Sequence, residues 1–227
     1  MMRNRVVLSI LFLSVITFFS ASARTKVLFF GDSITYGATK ANGFITLLNH
    51  RLEELGMGKD YDLVCAGVSG NHVYDLYFRV NEDVIDKHPD IVVIFIGIND
   101  IWHKASFCGT SITQYEKYYR AILDKLKQRR IEVMLCTPTV IGERKGNINQ
   151  YDGDLNAYAE VVRRLSSDYQ CQLIDLRKAF LHYLDTNNTE NAHHNVLTYD
   201  GVHFNDTGNM LASDMFFSAI FSQNSNK

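Results

Sequence analysis

The run Ile91-Val-Val-Ile-Phe-Ile96 contains no polar residue. A strand with one face in water alternates apolar and polar side chains, so an unbroken run of this length belongs to a strand covered on both faces. Val27 to Phe30 is a second such run, Tyr61 to Ala66 and Ile131 to Cys136 read as two further strands, and Leu173-Ile174 as a short fifth. Between these runs apolar residues recur at helical spacing. Phe44, Leu48, Leu52 and Leu55 form one stripe, ended by Gly56, and Val73 to Asp86 a helix stopped before Pro89. Tyr115, Tyr119, Ile122 and Leu126 follow the capping-box pair Ser111 and Gln114, and Leu155, Tyr158, Val162 and Leu165 make a further helix. Leu211, Met215, Phe216, Ala219 and Ile220 give the stripe of a last one.

Strands that alternate with helices build βαβ units, hence a parallel sheet with helices on both faces. Five strands in this length point to a flavodoxin-like five-stranded parallel sheet in a three-layer α/β/α sandwich. No internal repeat and no linker divides the chain, and residues 24–227 fit one domain large enough to bury a sizeable core.

Charge excludes one class of partner. Without Arg3 and Arg5, which lie in the expected leader at residues 1–23, the formal charge is −4, and no basic stripe of the kind that tracks a nucleic-acid backbone is present. The cluster Lys125-Leu-Lys-Gln-Arg-Arg130 reads as the cation-rich end of a helix, matching its dipole. Four cysteines, Cys65, Cys108, Cys136 and Cys171, do not form a disulfide scaffold or a CxxC pair. Their pairing stays open, with Cys65 and Cys136 at home in buried strands.

The chemistry gathers where strands end. Gly31-Asp-Ser33 breaks the first strand, Ala66-Gly-Val-Ser-Gly-Asn71 follows the second, Gly97-Ile-Asn-Asp100 follows the third, and Asp200-Gly-Val-His203 precedes the last helix. In a parallel sheet the carboxyl ends share one edge, the edge where such folds place their ligands. A hydroxyl attacks a carbonyl only if a base removes its proton, and His203 is a base suited to Ser33 near neutral pH. Asp200, three residues before it, can orient the ring and stabilise the imidazolium. Backbone N–H groups of Ser33 and Gly70, with the Asn99 side-chain amide, supply three donors for an oxyanion, each worth roughly 3 kcal/mol of barrier if well aimed. Each residue has a plainer reading too. Asp32, Ser33, Asn99 and Asp100 are capping types, Gly70 suits a turn, and Asp200-Gly is a common turn pair. Four such blocks, three at strand ends and one in the approach to the last helix, favour the catalytic reading.

With these four blocks in this order, the chain resembles the SGNH, or GDSL-type, esterase and lipase superfamily. The resemblance spans nearly all of residues 24–227. It implies Ser33 as nucleophile, Gly70 and Asn99 as oxyanion donors, His203 as base and Asp200 as its acid, with no cofactor. One departure is Cys65, where many relatives carry Asn before Ala-Gly. A Gly-x-Ser-x-Gly elbow is absent around Ser33, which argues against the larger α/β-hydrolase fold.

Trp102 can stack on a sugar ring or acyl group, or pack as a buried aromatic, and His103 beside it can line the pocket. His193-His194 lacks the accompanying ligands of a metal site, so no metal is expected. Asn187-Asn-Thr189 and Asn205-Asp-Thr207 match a glycosylation pattern, the second too close to His203 to carry a glycan. Two polar loops, residues 141–150 and 187–195, are expected at the rim of the site. Their Asn-rich character, and the lack of an amphipathic lid, favour a short-chain acyl (O-acetyl) ester of a carbohydrate as substrate. A lysophospholipase or thioesterase on the same machinery is the alternative, and a non-catalytic carbohydrate-binding protein a third.

The chain opens with a basic head, an apolar stretch from Val6 to Phe19 and then Ala21-Ser-Ala23. That is the pattern of a secretory signal peptide, and the stretch is shorter than the roughly 20 residues of a membrane span. A secreted or periplasmic location follows, with no integral membrane segment left after cleavage. N-terminal sequencing of exported protein is expected to begin at Arg24, and a mature chain that retains the apolar stretch would refute cleavage after Ala23.

Overall fold

A computed structural model describes residues 24–222; the expected signal peptide at residues 1–23 lies outside them. Five strands form one sheet in the order β2-β1-β3-β4-β5. They are β1 (Thr25–Gly31), β2 (Tyr61–Gly67), β3 (Ile91–Phe95), β4 (Glu132–Cys136) and β5 (Gln172–Ile174), and every pairing is parallel. This is the expected three-layer sandwich. In this strand order the chain reverses direction across the sheet between β1 and β3, and a crevice opens there beyond the carboxyl ends. Gly31 of β1 sits in register with Gly67 of β2 and Phe95 of β3, so three of the sequence blocks leave the sheet side by side.

The apolar runs are buried as their composition demands. Val27 to Phe30 are at most 1% exposed, and neighbouring side chains point to opposite faces. Phe29 packs on Phe44 of α2 (Phe44–Glu54) and Phe216 of α8 (Asp206–Phe221), with ring centroids 5.7 and 5.4 Å away. Phe30 faces the other layer, under the guanidinium of Arg79 from α3 (Val73–Asp83). On that second face α3 packs against α5 (Ile112–Gln128), and α5 against α6 (Asp152–Tyr169). Ser111 caps α5 by accepting the N–H of Gln114, as the capping pattern anticipates.

Two helical details depart from expectation. The α3 helix stops at Asp83, because Val84 leaves helical geometry, and a 3₁₀ turn spans Ile85–Lys87 before Pro89 bars further helix. A helix the periodicity did not reveal, α7 (Leu176–Asn187), starts directly after β5 and packs on α8. Its buried stripe is Leu176, Phe180 and Leu184, capped by Asp175, but Arg177 is also buried and blurs the pattern. Arg177 is 1% exposed and donates to Thr139 O, Asn156 Oδ1 and the buried Asp152 carboxylate, tying α7 to α6 and the end of β4.

The four cysteines are free, with Cys136 buried and Cys108 exposed. Among the described residues no helix is long and apolar enough to cross a membrane. The Phe29–Phe44–Phe216 cluster joins two helices to the central strand, so Phe216→Ala is expected to cost about 3–5 kcal/mol of stability. Met210→Ala, at an exposed site on the same helix, should stay within about 0.5 kcal/mol. Urea denaturation of the two variants checks the contrast.

Candidate active site

Ser33 stands at the first position of α1 (Ser33–Gly37), immediately past the edge of β1. The turn is tight: a Cβ on Gly31 would run into Phe95 O and Thr35 Oγ1, so only glycine lets strand and helix meet this closely. Asp32 caps α1 by accepting the Ile34 N–H at 3.0 Å. Cys65, the departure from the family pattern, donates its S–H to Thr35 O at 3.3 Å and so supports α1 from below.

His203 reaches this serine from the far end of the chain. Ser33 Oγ lies 2.9 Å from His203 Nε2, and His203 Nδ1 lies 2.7 Å from Asp200 Oδ2. A carboxylate can only accept, so Nδ1–H donates to Asp200 and leaves Nε2 to accept the serine proton. Asp200 Oδ1 also accepts the backbone N–H groups of Val202 (2.9 Å) and His203 (2.7 Å). Burial works to raise the Asp200 carboxyl, but these hydrogen bonds from the His203 ring and the two amides outweigh it and hold the group below the usual carboxylate range. The imidazole is held on its faces too. The Tyr199 ring stacks on it at 5.6 Å and 13°, and Trp102 stands edge-on at 6.2 Å.

The oxyanion candidates come from the neighbouring strand ends. Asn99 lies in α4 (Ile98–Trp102), is 3% exposed, and donates Nδ2 to Asn71 O at 3.0 Å, which ties it to the loop of Gly70. One N–H of that amide remains for another acceptor. Gly70 has φ +82°, a left-handed conformation that favours glycine. Arg79, not singled out by the sequence, fastens this loop to β1. Its Nε donates to Asn71 Oδ1 (2.7 Å) and Nη2 to Gly31 O (2.8 Å).

His103 is placed beside the site but turned to another partner, with Nδ1 3.2 Å from His72 Nε2. His72 caps α3 and stacks on Tyr74, and burial lowers its pKa against the hydrogen bond that its ring donates to Asp75. A cleft of about 380 Å³ opens on the other side of Ser33, lined by Tyr36, Lys40, Asn42, Ser69, Tyr199, His203 and Asp206 among others. Trp102 and His103 are not among its lining residues. Nor are the polar loops 141–150 and 187–195, which instead knit together: Glu143 N–H donates to His193 O and Asn188 Nδ2 to Glu143 O. Among the described residues no group of three or more His, Cys, Asp or Glu is arranged to hold a metal ion.

Two buried carboxyls sit under this edge. Desolvation raises Asp32 to about 7, with the Asp100 charge adding to it, and desolvation raises Asp100 to about 7 against the Val73 N–H that it accepts. The folded chain therefore keeps protons that the unfolded chain releases near pH 4. Stability from this source is complete below about pH 4 and is lost as pH rises through about 7. Asp100→Asn keeps an acceptor for Val73 and removes one of the two groups. Its melting temperature should fall less between about pH 5 and pH 8 than that of the unaltered protein; an equally steep fall would contradict the assignment.

The model of the GDSL-like lipase/acylhydrolase family matches residues 29–211. An acetylxylan esterase of Geobacillus stearothermophilus is 28% identical over 213 residues, 86% of this chain and 93% of that protein. A multidomain esterase of Ruminococcus flavefaciens is 28% identical over 189 residues, 66% of this chain but 23% of that protein. Among solved structures, the acetyl xylan esterase AlAXEase superposes with a TM-score of 0.85 and 48% identity, covering 86% of this chain and 99% of that one. That likeness in sequence and backbone, over almost the whole of a solved esterase, leaves one conclusion: the chain belongs to the GDSL-like lipase/acylhydrolase family and is a serine carboxylic-ester hydrolase of the SGNH type.

Proposed function

We propose that the protein removes O-acetyl groups from a carbohydrate through a Ser33–His203–Asp200 triad and an acyl-enzyme. The observation that carries this reading is the unbroken hydrogen-bonded chain from Ser33 Oγ through the His203 ring to Asp200, at 2.9 and 2.7 Å, opening on a polar cleft.

Ser33 Oγ attacks the ester carbonyl as His203 Nε2 takes its proton, and Asp200 stabilises the imidazolium. Charge developing on the carbonyl oxygen is met by N–H groups of Ser33 and Gly70 and by Asn99 Nδ2. The C–O bond to the alcohol then breaks, and His203 returns the proton to the departing oxygen. Water repeats the two steps on the acyl-enzyme and releases acetate. No step calls for a cofactor.

The proton return assigns the cleft. The departing alcohol must lie next to Nε2, so it occupies the space bounded by His203 and Tyr199. That space is lined by Lys40, Asn42, Ser69 and Asp206, side chains that hydrogen-bond hydroxyl groups, and by two exposed tyrosines, Tyr36 and Tyr199, whose rings can lie against a pyranose face. Such a wall suits a sugar better than an acyl chain. Relatives whose names state activity on acetylated xylan support the same class of substrate. The leader at residues 1–23 completes the proposal by placing the enzyme outside the cytoplasm, where polysaccharide is met.

Release of acetate from acetylated xylo-oligosaccharides is the direct test, alongside nitrophenyl esters of increasing chain length. Acetyl should be preferred. A preference for chains of about eight carbons, each buried methylene adding ~0.8 kcal/mol, would replace the sugar reading with a lipid one. Ser33→Ala should lower kcat by about a thousandfold or more while the fold is retained.

A further inference from the structure

Below the loop that carries Asp200 and His203 lies a carboxylate that the proposed chemistry does not use. Glu143 comes from the polar loop that follows β4 and is fully buried. Its Oε1 accepts the N–H of Leu197 (2.8 Å), the N–H of Thr198 (2.6 Å) and the Thr198 hydroxyl (2.8 Å), and its Oε2 accepts the N–H of Val196 (2.8 Å). Three consecutive backbone amides thus converge on one side chain. The Thr198 hydroxyl accepts in turn the N–H of Gly201 at 2.9 Å, and Gly201 O accepts the N–H of Gly142 at 2.8 Å. Both backbone groups of the residue after Asp200 are therefore tied to the pair Gly142-Glu143, one directly and one through Thr198.

This matters because no regular element holds that stretch. Between the end of α7 and the start of α8 the chain has neither helix nor named strand, only an isolated bridge between Thr198 and Phe204. The triad histidine sits at the tip of a loop, and loops drift unless something pins them. A buried carboxylate without partners would be strongly destabilising; one that meets four donors fixes their positions instead. A carboxamide at this position could not do the same, since its NH₂ would face a donor on one side or the other.

We propose that Glu143 is a positioning residue: it sets the place of the Asp200–His203 loop and so the reach of His203 to Ser33. The proposal rests on the triad reading above. Glu143 touches neither substrate nor reacting atoms, and its effect is on the alignment of the proton transfer. Misplacing a catalytic group by about 1 Å costs on the order of a hundredfold in rate.

The test compares Glu143→Gln and Thr198→Val with the unaltered protein. Thr198→Val removes the link to Gly201 but leaves the three backbone bonds to Glu143. Two readouts are taken well below the melting temperature of each variant: labelling of Ser33 by a fluorophosphonate, and kcat and KM on 4-nitrophenyl acetate per labelled site. Glu143→Gln should reach the same final labelling, but more than threefold slower and by about tenfold to a hundredfold, with kcat lower in step and KM within threefold. A purely structural role predicts fewer sites, each at normal speed. Normal speed per site, meaning labelling and kcat within threefold, would overturn the proposal. If Glu143→Gln does not fold, Thr198→Val decides alone, a slowing of threefold or more supporting the proposal and a smaller one overturning it. If Ser33 of the unaltered protein takes no label, the triad reading falls and this proposal with it; normal labelling of both proteins sinks the role of Glu143 alone.

Discussion

A contact of 2.9 Å between side chains 170 positions apart, Ser33 and His203, needs the loop before α8 to arrive at the edge where the strands, all running the same way, end. Parallel pairing puts the carboxyl ends of β1, β2 and β3 on one edge, and the helices that precede β2, β3, β4 and β5 carry the chain back across a face of the sheet. Had one strand been reversed, its loop would lie a strand's length away from the others. The strand order adds the crevice, because the chain leaves β1 for β2 on one side and comes back for β3 on the other. Gly31 makes the edge usable, as its missing side chain lets α1 begin against the end of β3.

Around that edge several buried or half-buried polar side chains are tied to structural junctions. Asp32 caps the serine helix. Asp100 accepts the first amide of α3 and so joins α4 to the loop of Gly70. Arg79 spans β1 and that same loop, Arg177 joins α7 to α6, and Glu143 gathers residues 196–198. Apolar packing positions whole elements, but it is non-directional and leaves loops free to shift. Hydrogen bonds to a buried charge are directional and costly to break. The division of labour is visible here: Phe29, Phe44 and Phe216 clamp layers together, while hydrogen-bonding side chains set the loops that carry the chemistry.

The candidate site was largely legible in the sequence. Gly31-Asp-Ser33, Gly70, Gly97-Ile-Asn-Asp100 and Asp200-Gly-Val-His203 are short and glycine-marked, the first three next to readable strand ends and the last just before a helical stripe, and the structure brings Ser33, Asp200 and His203 within hydrogen-bond reach. What stayed hidden were the residues defined by distant partners. Glu143 read as one more polar residue in an Asn-rich loop, since its donors lie 53 to 55 positions further on. Arg79 lay on the amphipathic helix α3 with nothing local to mark it, and His72 and Tyr199 gained meaning only beside His103 and His203. The helix α7 was obscured by Arg177, a charge on its buried face.

The sequence alone determined the layers, because apolar runs without alternation must be covered on both sides and helical stripes must find a sheet to cover. It determined as well which residue types stand at strand ends. Tertiary structure decided which of them meet: that the cleft opens toward Tyr36 and Tyr199 rather than Trp102 and His103, and that the loops 141–150 and 187–195 brace one another instead of forming the rim. The reason is physical. Burial pattern is written in local periodicity, whereas a hydrogen bond between distant loops depends on the crossing of the whole chain and leaves no periodic trace.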